Sequence, residues 1–140
     1  PLPRKTRISQ LSLVDSNMAA RSVQSRQAAV ILDGIHTEVI CCCYQDRIFV
    51  IVSQFEKIGT LISVNKLSST KDASATGTQT FSTKTLIGID EEIWHVYAKQ
   101  IAKLISESSS KPVLLGIALK KHSPQILQQI LHLLQANRVW

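Results

Sequence analysis

The stretch "EVICCCYQDRIFVIVSQF", residues 38–55, constrains the fold more than any other part of the chain. Successive side chains of a β-strand point to opposite faces, so a sheet with one wet face reads apolar, polar, apolar. Here Val39, Cys41 and Cys43 point one way while Ile40, Cys42 and Tyr44 point the other. In the following run Ile48, Val50 and Val52 oppose Phe49 and Ile51. Both faces of such a sheet are apolar, and each needs a cover. Helices expected further along the chain can cover one. For the other, the physical candidate is a partner subunit, packing sheet against sheet or along an edge strand, because monomers rarely leave a large contiguous apolar patch in water. A tail folded back over that face, or a sheet curled on itself, is the alternative.

The rest of the chain supplies the elements around this stretch. Residues 1–25 mix basic, Ser and scattered apolar residues without a sustained period, and read as a basic, flexible N-terminal tail ahead of one domain over 26–140. "RQAAVIL" ends at Asp33-Gly34, a hairpin dipeptide, and "HTEVICCCY" follows it. "QDR" leads into "RIFVIVS" and "QFEKIG" into "GTLISVN", so four consecutive strands with short connections predict an antiparallel meander. Residues 66–82, mostly Ser, Thr, Ala and Gly with two lysines and one aspartate, read as a long mobile loop. "TFSTKTLIG" is a fifth strand. Asp90 then reads as the N-cap of a helix over 91–106, with Ile93, Tyr97, Ile101 and Leu104 or Ile105 on one face. "PVLLGIALK" is a sixth, central strand, and Ser123-Pro124 opens a last helix whose stripe is Ile126, Leu127, Ile130, Leu131 and Leu134. The expected class is α+β, order β-β-β-β-β-α-β-α, an antiparallel sheet of about six strands with two helices on one face.

A chain of 140 residues can hold a core without staples, so neither metal nor disulfide is needed for folding. Its longest apolar run, "VICCCY", falls far short of the roughly 20 residues of a membrane span. The net charge of +6 invites a nucleic-acid reading. Yet residues 1–22 carry Arg4, Lys5, Arg7 and Arg21 against Asp15, and the remaining charge is spread without a Lys/Arg stripe or interleaved aromatics. A tail-borne module for nucleic acid or an anionic surface is the rival function; the main expectation is no nucleic acid and no membrane. The chain starts at Pro rather than Met, so trimming is expected and a lost targeting segment stays open. Three cysteines, an odd number on an apolar strand, favour a reducing compartment, the cytoplasm or the nucleus.

Strand geometry also decides what the cysteines can do. Cys41 and Cys42 diverge, as do Cys42 and Cys43, whereas Cys41 and Cys43 share a face with Cα atoms roughly 6.6 Å apart, the upper limit for a disulfide. A zinc site needs about four converging ligands from paired units, and no such pairing occurs in the sequence. Core packing explains the thiols; a Cys-dependent enzyme would need one that reacts in the folded protein. In "DEEIWHVYAK", Glu91 and Glu92 stand four and three residues before His95, a spacing that can ligate metal on a helix. Helix-dipole acids and a partly buried histidine explain the same letters. The expectation is no catalytic, metal or cofactor site.

At "VSQFEKIGTLISV" (52–64), "TKTLIGIDEEIWHVYAKQIAKLI" (83–105), "PVLLGIALK" and the terminal "VW", the chain resembles the proteasome assembly chaperone 3 family. The similarity runs in register from Arg26 to Trp140, with "QF.K.GTL" and "HV.AK" its most specific pieces. It implies a small non-enzymatic protein that pairs with a same-fold chaperone, proteasome assembly chaperone 4, or with itself in isolation. The pair would hold α-type subunits of the 20S core particle during α-ring formation and leave before maturation. The chain departs from the family pattern in its basic tail and at Glu56, where a small residue is expected after the Phe. Modest contacts from mobile polar segments suit a chaperone that lets go. The residues expected to touch the α-type subunit are therefore Gln54, Phe55, Glu56 and Lys57 in one turn and Lys66, Lys71 and Asp72 in the long loop.

Overall fold

The computed structural model describes residues 23–67 and 80–140. Its elements are β1 (Gln24–Leu32), β2 (Ile35–Cys43), β3 (Ile48–Ser53), β4 (Thr60–Lys66), β5 (Phe81–Ile87), α1 (Glu92–Ser106), β6 (Val113–Ala118) and α2 (Pro124–Ala136). The expected tail, apart from its last three residues, lies outside the described residues, and β1 begins two residues ahead of the expected domain start.

The β1–β2 hairpin closes at Asp33-Gly34 with φ of 50° and 76°, the left-handed pair that lets two residues reverse a twisted ribbon. β2 and β3 continue it antiparallel. The meander then stops. The sheet order is β1-β2-β3-β6-β4-β5, with β6 parallel to β3 and antiparallel to β4. The expectation of a purely antiparallel sheet is corrected to a mixed one, although β6 is central as its apolar sequence implies. The physical reason lies in the slot that β3 and β4 leave between them. "VLLGIA" is apolar at every position, so it loses most by facing water on either side and gains most by pairing on both edges.

One face of this sheet is fully covered. Val39, Cys41, Val50, Val52, Ile62, Val64, Leu115 and Ile117 pack against Tyr97, Ile101 and Ile105 of α1 and Ile130 and Leu134 of α2. The helix stripes match the sequence reading in the main, with Trp94, Ala98 and Ala102 added to α1 and Ile93 and Leu131 only half-buried. Tyr97 joins the helices: its hydroxyl donates to the Ser123 carbonyl at 3.1 Å and accepts from the Ser123 N–H at 3.2 Å. Ser123 caps α2 as expected, its hydroxyl accepting from the Ile126 N–H at 3.1 Å. Asp90 is not the cap of α1. That position belongs to Glu91, which makes no side-chain cap bond, because the Asp90 carboxylate is engaged by Thr85 and His95 instead. Among the described residues, no helix is long and apolar enough to cross a membrane.

Candidate functional site

Among the described residues, no helix lies on the second face of the sheet. Ile40 and Cys42 of β2, Phe49 and Ile51 of β3, Leu114 of β6 and Leu61 of β4 are all half-buried there, beside neighbours on the opposite face that are fully buried. Register places them together: Ile40 opposite Ile51, Cys42 opposite Phe49, Phe49 beside Leu114, and Leu61 beside Gly116. Ser25 and Gln27 flank this strip on β1, and Ser63 and Lys84 flank it on β4 and β5. Ile31 on β1 and Ile87 opposite Leu61 on β5 carry the apolar surface to both edges of the face, and a contiguous exposed apolar surface of this kind marks an interaction site. The six-residue bridge 54–59 between β3 and β4 adds to it. A Cβ on Gly116 would lie 2.6 Å from Ile58 Cγ2, so Ile58 sits over that glycine on the open face.

The same bridge carries the first four residues expected to touch a partner, and the structure separates their roles. Gln54 is buried: its amide donates to Thr37 Oγ1 at 3.0 Å, its carbonyl accepts from the Lys120 N–H at 2.7 Å, and its backbone N–H donates to Ala118 O at 2.8 Å. Phe55, Glu56 and Lys57 stay exposed, with Lys57 and Lys120 ammonium groups 5.4 and 5.2 Å from the Phe55 ring centre. Glu56 has φ of 58°, the region that favours glycine, which accounts for the small residue expected there. Lys66 ends β4 at the opposite end of the sheet, six strand steps or roughly 20 Å from Thr60. Lys66 therefore shares no patch with the 54–57 turn. Lys71 and Asp72 lie outside the described residues. Sequence reasoning missed Ile58, Leu61, Leu114 and Lys120, though the alternation in "TLISVN" and "VLLGIA" carried the signal for Leu61 and Leu114.

The cysteines divide between the faces as strand geometry requires. All three are free thiols. Burial, aided by the neighbouring Cys42, pushes the Cys41 thiol up to about 12, so it has little thiolate character at neutral pH. Cys42 is half-buried on the open face and is also raised by burial. Cys43 lies at the bottom of the helix face, where Lys111 Nζ donates to its Sγ at 3.5 Å and to Tyr44 O at 2.8 Å. Under native alkylation with iodoacetamide, Cys41 is expected to stay unmodified while Cys42 reacts slowly and becomes protected once the open face is covered. Mass spectrometry of the peptides checks this, and labelling of Cys41 first would contradict it.

His95 meets no glutamate. Its Nε2 lies 2.5 Å from Asp90 Oδ1 and its Nδ1 2.7 Å from Thr83 Oγ1, and Thr85 Oγ1 donates to the same Asp90 oxygen at 2.9 Å. The His95 and Thr85 bonds hold the Asp90 carboxyl below the usual carboxylate range. This cluster ties α1 to the edge strand β5. Among the described residues no three His, Cys, Asp or Glu side chains converge as metal ligands would.

A mixed sheet with two helices on one face and an apolar strip on the other defines a small α+β protein whose second sheet face is uncovered among the described residues. Comparison with known proteins agrees in kind. Residues 50–137 match the family model of proteasome assembly chaperone 3. The proteasome assembly chaperone 3 of Nematostella vectensis is 47% identical over 118 residues, covering 81% of this chain and 87% of that protein. That of Homo sapiens is 34% identical over 119 residues, covering 84% and 95%. A chain in the crystal structure of a novel chaperone complex for yeast 20S proteasome assembly superposes with a TM-score of 0.63 over 81% of this chain and 97% of that one. At 13% identity this last likeness speaks to the fold. The chain belongs to the proteasome assembly chaperone 3 family.

Proposed function

We propose that this protein is a non-enzymatic chaperone of 20S proteasome assembly that pairs, through the open face of its sheet, with a second chaperone of the same fold resembling proteasome assembly chaperone 4. The pair holds α-type subunits while the α-ring forms and departs before the particle matures, working in the cytoplasm or the nucleus. The observation that carries the reading is the strip Ile40, Cys42, Phe49, Ile51, Leu61 and Leu114, which the helices among the described residues leave uncovered. Family membership supports the assembly role, and the yeast relative of the fold comes from a chaperone complex. Of the residues proposed to touch the α-type subunit, Phe55, Glu56, Lys57 and Lys66 are exposed, whereas Gln54 holds the turn in place.

Purification of the tagged protein from its own cell, followed by mass spectrometry, tests this. The expected result is a same-fold partner with α-type subunits and few β-type subunits. A preparation containing neither would sink the reading.

A further inference from the structure

The 54–59 bridge presents an aromatic side chain on a backbone that has little freedom. Phe55 is 47% exposed, yet its neighbours are pinned. Gln54 is fixed by three hydrogen bonds to Thr37, Ala118 and Lys120. Ser53 Oγ accepts from the N–H groups of Phe55 at 3.2 Å and Lys57 at 3.1 Å. Glu56 is held left-handed, a conformation that persists outside glycine only where surroundings over-determine it. Two ammonium groups, Lys57 and Lys120, lie over the Phe55 ring, and neither meets a carboxylate among the described residues. Lys121, one residue on, does: it lies 3.9 Å from Asp33 Oδ2. Ile58 continues the apolar surface at 44% exposure.

We propose that this corner is a docking site for an acidic protein segment carrying an apolar side chain. The apolar side chain lies on Phe55 and Ile58, and the flanking carboxylates meet Lys57 and Lys120. Carboxylates of the segment make charge-assisted hydrogen bonds with the Lys57 and Lys120 ammonium groups. The pinned backbone lowers the ordering cost that a flexible loop would meet on binding. Glu56 is the bridge's one acid and opposes the carboxylates. Ile58 borders the open sheet face, so the inference rests on the proposed function in one respect: the partner on that face leaves Phe55, Lys57 and Lys120 accessible.

The test uses the isotope-labelled full chain and the blocked peptide Asp-Glu-Leu-Asp-Glu, followed by amide chemical shifts at fixed low salt. Expected are shifts confined to residues 53–59 and 118–121, which a Lys-Lys-Leu-Lys-Lys peptide does not produce. Charge reversal by Lys57→Glu with Lys120→Glu is expected to raise the midpoint at least about tenfold, Phe55→Ala to raise it as well, and Glu56→Gln to lower it. These residues are exposed, so unchanged spectra elsewhere verify that the variants fold. Shifts centred elsewhere, equal shifts with the basic peptide, or no response to charge reversal overturn the proposal. A DNA duplex giving the same shifts at lower concentration than the peptide would overturn it too, by assigning the corner to a polyanion.

Discussion

Aspartate at position 51 is expected to leave the protein folded and unable to pair, whereas aspartate at position 50 is expected to leave it unfolded. The two side chains are neighbours in β3 on opposite faces. Val50 is fully buried among Cys41, Leu115 and the helices, so Val50→Asp puts a carboxylate where no partner exists and costs on the order of 4 kcal/mol or more. Ile51 lies on the open face beside Ile40 and Gly116, so Ile51→Asp loses cross-strand contact worth about 1 kcal/mol and leaves its charge in water. In the paired state that charge would be trapped at the centre of an interface, weakening association by about a hundredfold or more. Co-expression of each variant with the same-fold partner, with urea melts of the chain alone, separates the two effects. Pairing that survives Ile51→Asp at wild-type strength would remove the open face from the account.

The second large effect is expected at Gly59, where the bridge closes over the end of β6. Its φ is 72°, and a Cβ there would collide with the Ile117 carbonyl oxygen and come within 2.6 Å of Ala118 Cβ. Backbone cannot yield as a flexible side chain does, so Gly59→Ala must lift the bridge and strain the Gln54 contacts with Thr37 and Lys120. The expected cost is about 3 kcal/mol, the sum of left-handed strain and overpacking. Gly34 provides the comparison. Its φ is 76°, but nothing lies within 4 Å of the added Cβ, so Gly34→Ala is expected to cost only about 1 kcal/mol. The midpoints of urea unfolding measure both, and equal costs would show that the close approach at Gly59 contributes nothing.

Much of the fold was legible because its signals are local. Asp33-Gly34 marks a two-residue turn by its backbone needs, and Ser123-Pro124 marks a helix start by its capping hydroxyl and fixed φ. The period of the helix stripes places Tyr97, Ile101, Ile130 and Leu134 inward. Asp90 misled for an equally local reason. A carboxylate before a helix is usually a cap, but here His95, one turn into α1, and Thr85, on β5, compete for it. Gln54 looked like a polar turn residue, and its burial depends on Thr37 and Lys120, which are 17 and 66 positions away.

The sequence by itself determined that strands β2, β3 and β6 are apolar on both sides, and that Cys41 and Cys42 face opposite ways. These facts follow from the two-residue period of an extended chain, which needs no neighbours. Only the tertiary structure decided that β6 enters between β3 and β4, and that the helices cover the face of Val50 and leave the face of Ile51. Strand order and helix placement are set by contacts between residues far apart in the chain, where the same periodicity is satisfied by several arrangements and the one that buries the most apolar surface prevails.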